Sequence, residues 1–208
     1  MSVEPGRRRR VVWRGLDGWR AEACEVELAA DRLQARGTQI GAEPLPYRLD
    51  YELETGAEWV TARLRVRVRG EAWSRELNLG HDGRGTWTIE TTDHGSPRGL
   101  EPPGGDPATV QGALDCDLGL CPLTNTMPVL RSKVMESEAP PHDFLMTWVA
   151  VPALSVHPSE QRYEHVARRP DGSSTVRYVG RHRDFVGELE FDADALVEHY
   201  PELAERVA

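Results

Sequence analysis

The residues whose types and spacing could do chemistry lie in one short run of the chain, residues 114–131. Its sequence is LDCDLGLCPLTNTMPVLR, in which two aspartates, two cysteines and a Thr-Asn-Thr core between two prolines stand together. Carboxylates, thiols and hydroxyls in such proximity could hold a metal ion, hydrolyse a bond or hydrogen-bond a polar ligand. Each of these three chemistries makes its own demand on spacing.

A metal site needs more ligands than this run supplies. Structural zinc sites and iron–sulfur clusters use four Cys or His ligands in closely spaced pairs. Cys116 and Cys121 have no second pair, and Pro158 interrupts the segment between His157 and His165. With Cys24, the chain has an odd number of cysteines, which is untypical of a disulfide framework. The sequence therefore predicts reduced thiols, and neither a metal site nor another cofactor.

Asp115 and Asp117 could act as the paired carboxylates of a hydrolase that cleaves a glycosidic or ester bond. Residues i and i+2 of a strand share a face, with side chains about 6 to 7 Å apart, so the geometry permits general acid–base catalysis. However, the chain has no Gly-x-Ser-x-Gly elbow, no phosphate-binding glycine loop and no nucleophile with an evident base. A hydrolase therefore stands as an alternative, and no catalytic residue is assigned.

The third interpretation is a buried polar loop. Thr124 and Asn125 have short side chains that can hydrogen-bond neighbouring amides where no strand partner exists. Asp117 and Arg131 flank the loop, and we predict that they form a bidentate pair across it. Such a loop either turns the corner between sheet layers or faces a cavity in which its polar groups meet sugar hydroxyls. The residues leave both possibilities open.

Composition excludes several classes of protein. Of the 208 residues, 39% are hydrophobic and 28% are charged, and no window approaches the ~18 uncharged residues of a membrane span. The formal net charge of -9 argues against nucleic-acid binding, which needs a broad basic face. We interpret residues 1–10, which include four consecutive arginines, as a flexible basic tail. Because no apolar stretch follows the arginines, the sequence predicts no secretory signal and a cytoplasmic protein.

Alternation of apolar and polar residues indicates strands through most of the chain. The segments PYRLDYELE and TARLRVRVRG have the period of two that is typical of half-buried strands. Their inward-facing residues are predicted to be Tyr47, Leu49, Tyr51, Leu53, Ala62, Leu64, Val66 and Val68. Two hairpins are predicted at Asp82-Gly83 and Asp171-Gly172, since Asp-Gly tolerates the positive φ angles of tight turns.

Three further segments carry predictions of their own. Residues 144–156 have no charge and predict a central strand that is covered on both faces and bent near Pro152. Residues 93–112 are rich in Gly and Pro and predict a flexible surface loop. The closing DADALVEHYPELAERVA predicts a turn or two of helix. The sequence thus predicts one mainly β domain over residues 1–208, built from antiparallel strands with little helix.

The order and spacing of several motifs resemble a known family. The segments DLGLCPLTNTMPVLR, VAVPALSV with QRYEHV, and FVGELEFDADALVEHYP resemble bacterial proteins catalogued as putative glycolipid-binding, formerly a domain of unknown function. WVTARLRV and GTWTIE are similar to that family's earlier strands. Cys121 stands where the family is expected to have a small residue, so neither cysteine of the run is carried over as functional. The resemblance implies a spiral β-roll, as one unit or two similar halves, and an amphiphilic ligand.

We therefore expect a non-catalytic β-roll that binds a glycolipid or another amphiphilic small molecule in its cavity. Such a ligand needs an apolar cleft for its acyl chains and a polar mouth for its head group. Trp59 and Tyr163 are candidate platforms for sugar faces, and ordinary packing in the core or at a strand edge is the alternative for each. The candidate ligand-binding residues are Trp59, Arg63, Asp117, Thr124, Asn125, Arg131 and Tyr163. The alternatives are a hydrolase that uses Asp115 and Asp117, and a partner-binding structural domain without a small ligand.

Overall fold

Fourteen strands and one α-helix form the described part of the computed structural model, which covers residues 6–95, 97–181 and 184–208. The strands are β1 (Arg7–Gly15), β2 (Arg20–Leu28), β3 (Leu33–Gly41), β4 (Tyr47–Thr55), β5 (Thr61–Arg69), β6 (Ser74–His81), β7 (Trp87–His94), β8 (Asp115–Leu118), β9 (His142–Val149), β10 (Val156–Arg168), β11 (Ser174–Gly180), β12 (Phe185–Phe191), β13 (Val197–Tyr200) and β14 (Ala204–Arg206). The α-helix, α1, comprises Thr126–Ser132, and short 3-10 helices comprise Ala57–Trp59, Pro107–Val110 and Pro122–Asn125. The predicted mainly β architecture is confirmed.

All fourteen strands belong to one sheet, which we call the roll. Its order is β7-β6-β5-β4-β3-β2-β1-β14-β13-β12-β11-β10-β9-β8, and neighbouring strands are antiparallel except for the parallel pair β8 and β9. The first and last strands of the chain are therefore neighbours in the middle of the sheet, and β7 and β8 are its two edges. Because β1, β3, β8 and β9 run in the same direction, the turns that follow them lie at one end of the sheet. We call this end the rim: turns 16–19, 42–46, 119–121 and 150–155.

The alternation of β4 is confirmed, whereas that of β5 is interrupted at its start. All four predicted inward residues of β4 are buried, and so are Leu64, Val66 and Val68 of β5. Ala62 is exposed instead, and the neighbouring Thr61 is buried. The register between β4 and β5 shifts at this point, as in a β-bulge, so the side chains on either side of the shift change faces.

Both predicted hairpins form at their Asp-Gly pairs. Gly83 has a φ of 78°, and the Asp82 carboxylate accepts hydrogen bonds from two backbone N–H groups of the turn, at 2.7 and 3.0 Å. Gly172 has a φ of 89°, and Asp171 accepts a hydrogen bond from the backbone N–H of Ser173 at 3.0 Å. In each turn the aspartate satisfies backbone donors that the strands leave free.

The prediction of a flexible tail over residues 1–10 is wrong for its second half. Residues 7–10 form the start of β1 and pair with residues 25–28 of β2. Charge complementarity across the strands accompanies this pairing, because Arg8 lies 2.9 Å from the carboxylate of Glu27 and Arg10 lies 2.8 Å from that of Glu25. Residues 1–5 lie outside the described residues.

The Gly- and Pro-rich segment is packed against the roll over much of its length, which differs from the predicted flexible loop. Val110 is fully buried, and Gly104 forms a parallel bridge with Ser155. The backbone carbonyl of Glu101 accepts a hydrogen bond from Arg75 at 2.6 Å. This segment packs near the start of β10, so its glycines and prolines belong to an ordered connection between β7 and β8. Residue 96 lies outside the described part.

Two other predictions are corrected. Residues 144–156 do not form one bent central strand: β9 ends at Val149, a turn with Pro152 follows, and β10 begins at Val156. The closing segment forms β13 and β14 in place of a helix, because β14 pairs with β1. Among the described residues the α-helix is α1, which begins at Thr126 inside the run predicted as a polar loop.

The inside of the roll is filled by one cluster of buried side chains that draws on strands from both ends of the sheet. The helix α1 packs against Ala57–Trp59, and the Thr126 hydroxyl donates a hydrogen bond to the carbonyl of Ala195 at 2.8 Å. Within the described ranges, no helix is both long and apolar enough to span a membrane.

Candidate functional site

Arg131 pairs with Asp115, so the predicted pairing of Arg131 with Asp117 is wrong. One guanidinium nitrogen lies 2.7 Å from Asp115 Oδ1, and the other contacts Oδ2. The guanidinium also lies 5.5 Å from the centre of the Phe144 ring. Asp115 is only 1% exposed, and this burial raises the pKa of its carboxyl group while Arg131 opposes the shift. The pair joins α1 to β8.

Asp117 belongs to a separate hydrogen-bond network. Its Oδ1 accepts a hydrogen bond from the Thr124 hydroxyl at 2.9 Å, and its Oδ2 accepts one from the Gln161 amide at 2.6 Å. The Tyr163 hydroxyl lies 2.9 Å from Asn125 Oδ1 and 3.0 Å from Gln161 Oε1. This network links β8, β10 and the 3-10 helix Pro122–Asn125. It brings together four candidates: Asp117, Thr124, Asn125 and Tyr163.

Sequence reasoning missed Gln161 and Ser159, which complete the network. The Gln161 amide also donates to the Ser159 hydroxyl at 3.2 Å, and both residues are buried. The signal was present, because Ser159, Gln161 and Tyr163 alternate along β10 and therefore share one face. Polar residues in phase with a buried aromatic residue indicate an internal network.

Tyr163 does not offer a ring face to a sugar in this structure. It is fully buried, and its ring centre lies 5.8 Å from that of Phe144 and 5.2 Å from that of Tyr178, both in edge contacts. Such contacts are typical of aromatic core packing. Its hydroxyl belongs to the hydrogen-bond network, and its ring is part of the hydrophobic core.

Trp59 and Arg63 do not take part in the Asp117 network. Trp59 is half-buried in the short helix Ala57–Trp59, and its indole N–H is buried without a hydrogen-bond partner among the described residues. Arg63 lies on β5 and donates a hydrogen bond to the amide oxygen of Asn78 on β6 at 3.1 Å. The candidates from residues 114–131 are thus near one another, whereas these two are not part of their network.

The carboxyl groups that a hydrolase would use are both engaged. Asp115 is held by Arg131, and both oxygens of Asp117 accept hydrogen bonds from neighbouring side chains. A glycosidase needs one carboxyl group free to protonate the leaving group and a second one free to act as nucleophile or base. The geometry of Asp115 and Asp117 matches a structural role better than this one.

A row of side chains leads from the Asp117 network to the surface. Asp117, Trp148 and His157 are direct partners across β8, β9 and β10, so their side chains share a face. Asp117 and Trp148 are half-buried, and the ring centres of Trp148 and His157 lie 5.8 Å apart. The row ends at the rim.

An open cleft of about 480 Å³ lies at the end of this row. We call it the rim cleft, and its walls include Pro44, Leu100, Trp148, Val151, Pro152 and His157. At its polar side, Glu101 Oε2 accepts a hydrogen bond from the Ser155 hydroxyl at 2.7 Å and lies 3.0 Å from His157 Nε2. The hydrogen bond from Ser155, followed by that from His157, lowers the pKa of Glu101. Apolar walls therefore meet a carboxylate and an imidazole in one cleft.

A second buried carboxyl group, Glu22, lies inside the roll. Glu22 Oε1 accepts hydrogen bonds from the Tyr51 hydroxyl at 2.7 Å and the Cys121 thiol at 3.1 Å, and Oε2 accepts one from the Gln39 amide at 2.9 Å. Burial raises the pKa of Glu22, and these hydrogen bonds oppose the shift. The sequence signal is its position on β2, where it is in phase with the buried Cys24.

The comparisons with known proteins agree with this fold. No curated protein matches the chain. A crystal structure of a DUF1089-family protein from Pseudomonas aeruginosa is similar at 26% sequence identity, with 89% of this chain and 92% of that chain covered and a TM-score of 0.67. The model of a family described as "Putative glycolipid-binding" matches residues 10–206. Because that match spans nearly the whole sequence, the chain belongs to the putative glycolipid-binding family.

Proposed function

We propose that this protein binds a glycolipid or a similar amphiphile without catalysing a reaction on it, and that the rim cleft holds the apolar part of the ligand. The observation that carries this proposal is the composition of the cleft, in which apolar walls end at Glu101 and His157. The description of the family supports a binding function of this kind.

The size and position of the rim cleft suit an amphiphile. Its volume of about 480 Å³ lies within the range of roughly 300 to 1,000 Å³ that is typical of small-molecule sites. Contact of an acyl chain with Leu100, Val151 and Pro152 would favour binding, because removal of apolar surface from water is favourable. At the polar side of the cleft, His157 and Glu101 have polar atoms that can hydrogen-bond hydroxyl groups of the ligand.

A titration calorimetry experiment with octyl glucoside below its micelle concentration tests the proposal. Replacement Leu100→Asn should weaken binding about fivefold, since it removes about 1 kcal/mol of apolar contact from a half-buried site. The control Val166→Thr changes an exposed apolar residue at the opposite end of β10 and should leave the affinity unchanged. Equal affinity in wild type and Leu100→Asn would contradict the assignment of the cleft.

The same sample distinguishes binding from hydrolysis. Mass spectrometry after prolonged incubation should return octyl glucoside intact, and organic extracts of the purified protein should contain an amphiphile. Release of octanol and glucose would support the hydrolase alternative. Absence of any bound amphiphile in both experiments would support the partner-binding alternative.

A further inference from the structure

A small pocket of about 70 Å³ lies at the rim beside the rim cleft. Its walls include Asp17, Trp19, Arg20, Glu43, Tyr47 and Leu120. The pocket and the rim cleft share the turn between β3 and β4, because Glu43 lines the pocket and the next residue, Pro44, lines the cleft. One ligand could therefore extend across this turn from one site into the other.

The Tyr47 hydroxyl is the unusual group in this pocket. Tyr47 is only 6% exposed, and its hydroxyl is buried without a hydrogen-bond partner among the described residues. Buried polar groups in native structures nearly always have a partner, so an unpartnered one points to a missing donor or acceptor. Burial also raises the pKa of Tyr47 to about 12, so that the hydroxyl keeps its proton and can donate.

The backbone fixes where this hydroxyl points. Tyr47 on β4 lies opposite Gly41 on β3, and Gly41 lies opposite Arg20 on β2. The Tyr47 ring covers Gly41 so closely that a Cβ at that position would lie 2.5 Å from the ring. Because Gly41 has no side chain, the ring reaches across β3 towards the position of Arg20.

Charged and aromatic side chains surround the Tyr47 hydroxyl in this pocket. Arg20 is almost fully buried and donates to Asp17 Oδ1 at 2.7 Å and to the carbonyl of Leu203 at 2.6 Å. The Asp17 carboxylate is half-exposed and retains acceptor positions. At the mouth of the pocket, the Trp19 indole is 67% exposed. An exposed aromatic ring beside a fixed carboxylate and guanidinium is the chemistry that recognises a sugar, whose ring has an apolar face and polar edges.

We propose that this pocket is the sugar subsite of the protein: one hydroxyl of a neutral sugar ring enters it and hydrogen-bonds the Tyr47 hydroxyl, while Trp19 covers the ring face. The volume admits a group the size of about two water molecules, so the rest of the ring stays outside, against Trp19. The inference rests on the proposed function and names the head group of its amphiphile. Asp17 and Glu43 disfavour a phosphate group, because Arg20 is already paired.

Calorimetric titrations with three probes test this subsite. Octyl glucoside has the chain and the sugar, octyl tetraethylene glycol has the same chain without the sugar, and methyl glucoside has the sugar without the chain. Tyr47→Phe and Trp19→Ala should each weaken octyl glucoside about fivefold and leave octyl tetraethylene glycol unchanged. Leu100→Asn in the rim cleft should weaken both detergents. Tyr47→Phe should fold normally, because the hydroxyl that it removes has no partner.

The outcomes separate this inference from the proposed function. If Tyr47→Phe and Trp19→Ala leave octyl glucoside binding unchanged, or weaken both detergents equally, the sugar subsite is wrong while the amphiphile site stands. If neither detergent binds but methyl glucoside binds in a manner that depends on Tyr47, the subsite stands and the proposed function fails. If no probe binds the wild type, both are overturned for glucose-type head groups.

Discussion

The buried carboxyl groups of Asp115 and Glu22 have different kinds of hydrogen-bond partner. Asp115 has a guanidinium partner in Arg131, so its burial leaves a neutral ion pair. The hydrogen-bond donors to Glu22 are all neutral. Neutral donors compensate less for lost hydration than an opposite charge does, and burial raises the pKa of Glu22. Gln39 Oε1 is buried without a partner in the described residues, and a rotation of that amide would let it accept the proton of a neutral Glu22.

The raised pKa of Glu22 predicts a specific dependence of stability on pH. A carboxyl group whose pKa is higher in the folded state contributes stability below its unfolded pKa of about 4.5, and this contribution is lost as the pH rises through the folded pKa. Glu22→Gln keeps the shape and removes the titration. The unfolding free energy of wild type relative to Glu22→Gln should therefore fall as the pH rises above about 4.5 towards neutrality, by up to about 1.4 kcal/mol per pH unit.

Urea melts of both proteins across this range provide the measurement. Glu25→Gln is the matched control, since Glu25 lies on the same strand but faces solvent beside Arg10. Its stability should follow the wild-type pH profile. Parallel profiles for wild type and Glu22→Gln would show that Glu22 titrates in the folded protein as it does in the unfolded chain.

At the scale of the element, the sequence predicted strands well where one face is buried and the other is in water. The alternation of β4 is an example, because burial of one face requires a period of two. Leu196, Tyr200 and Leu203 have helical spacing, yet all three are buried by short strands and turns. The deciding contact is the pairing of β14 with β1, which joins residues about 190 positions apart and leaves no local signal.

The same limit applies to the candidate site. The run 114–131 contains buried polar side chains, and four of the candidate residues, Asp117, Thr124, Asn125 and Tyr163, lie in one hydrogen-bond network. The choice of Asp117 as the partner of Arg131 was wrong because Asp115 and Asp117 share a face of β8, so spacing cannot distinguish them. The rim cleft could not be predicted, because turns that are distant in sequence build its walls.

Glycines in β3 let large rings lie flat on the strand, and this predicts the effect of adding a methyl group. Gly37 lies opposite Tyr51, and a Cβ at that position would be 2.3 Å from the tyrosine ring. Gly37→Ala should therefore destabilise the fold by about 1 to 3 kcal/mol, as overpacking of a core does. In Gly56→Ala, the nearest atom to the new Cβ is 3.9 Å away, so its stability should change by less than about 0.5 kcal/mol. Denaturant melts that give equal losses for both variants would contradict this packing.

At the scale of the whole molecule, the meeting of β1 and β14 makes the two ends of the chain one structural unit. The Trp13 indole donates a hydrogen bond to the carbonyl of Val197 at 2.8 Å. Beside it, the Asp192 carboxylate contacts Arg206 at 2.6 Å and Arg9 at 3.3 Å. These contacts join β1 to the turn and strands at the end of the chain. Because the buried core also runs through both parts of the sheet, we expect the molecule to unfold in one step.

Fluorine NMR of protein labelled with 5-fluorotryptophan tests this cooperativity, with each signal assigned by Trp→Phe replacement. Trp87 lies on β7 at one edge of the sheet, and Trp148 lies on β9 beside the other edge strand, so their signals report on the two ends of the strand order. Both folded signals should disappear at the same urea concentration. Trp13→Phe removes the hydrogen bond to Val197 and should cost about 2 to 4 kcal/mol, which lowers both midpoints by the same amount. Loss of the Trp148 signal while the Trp87 signal persists would mean that β1 and β14 join two units that unfold independently.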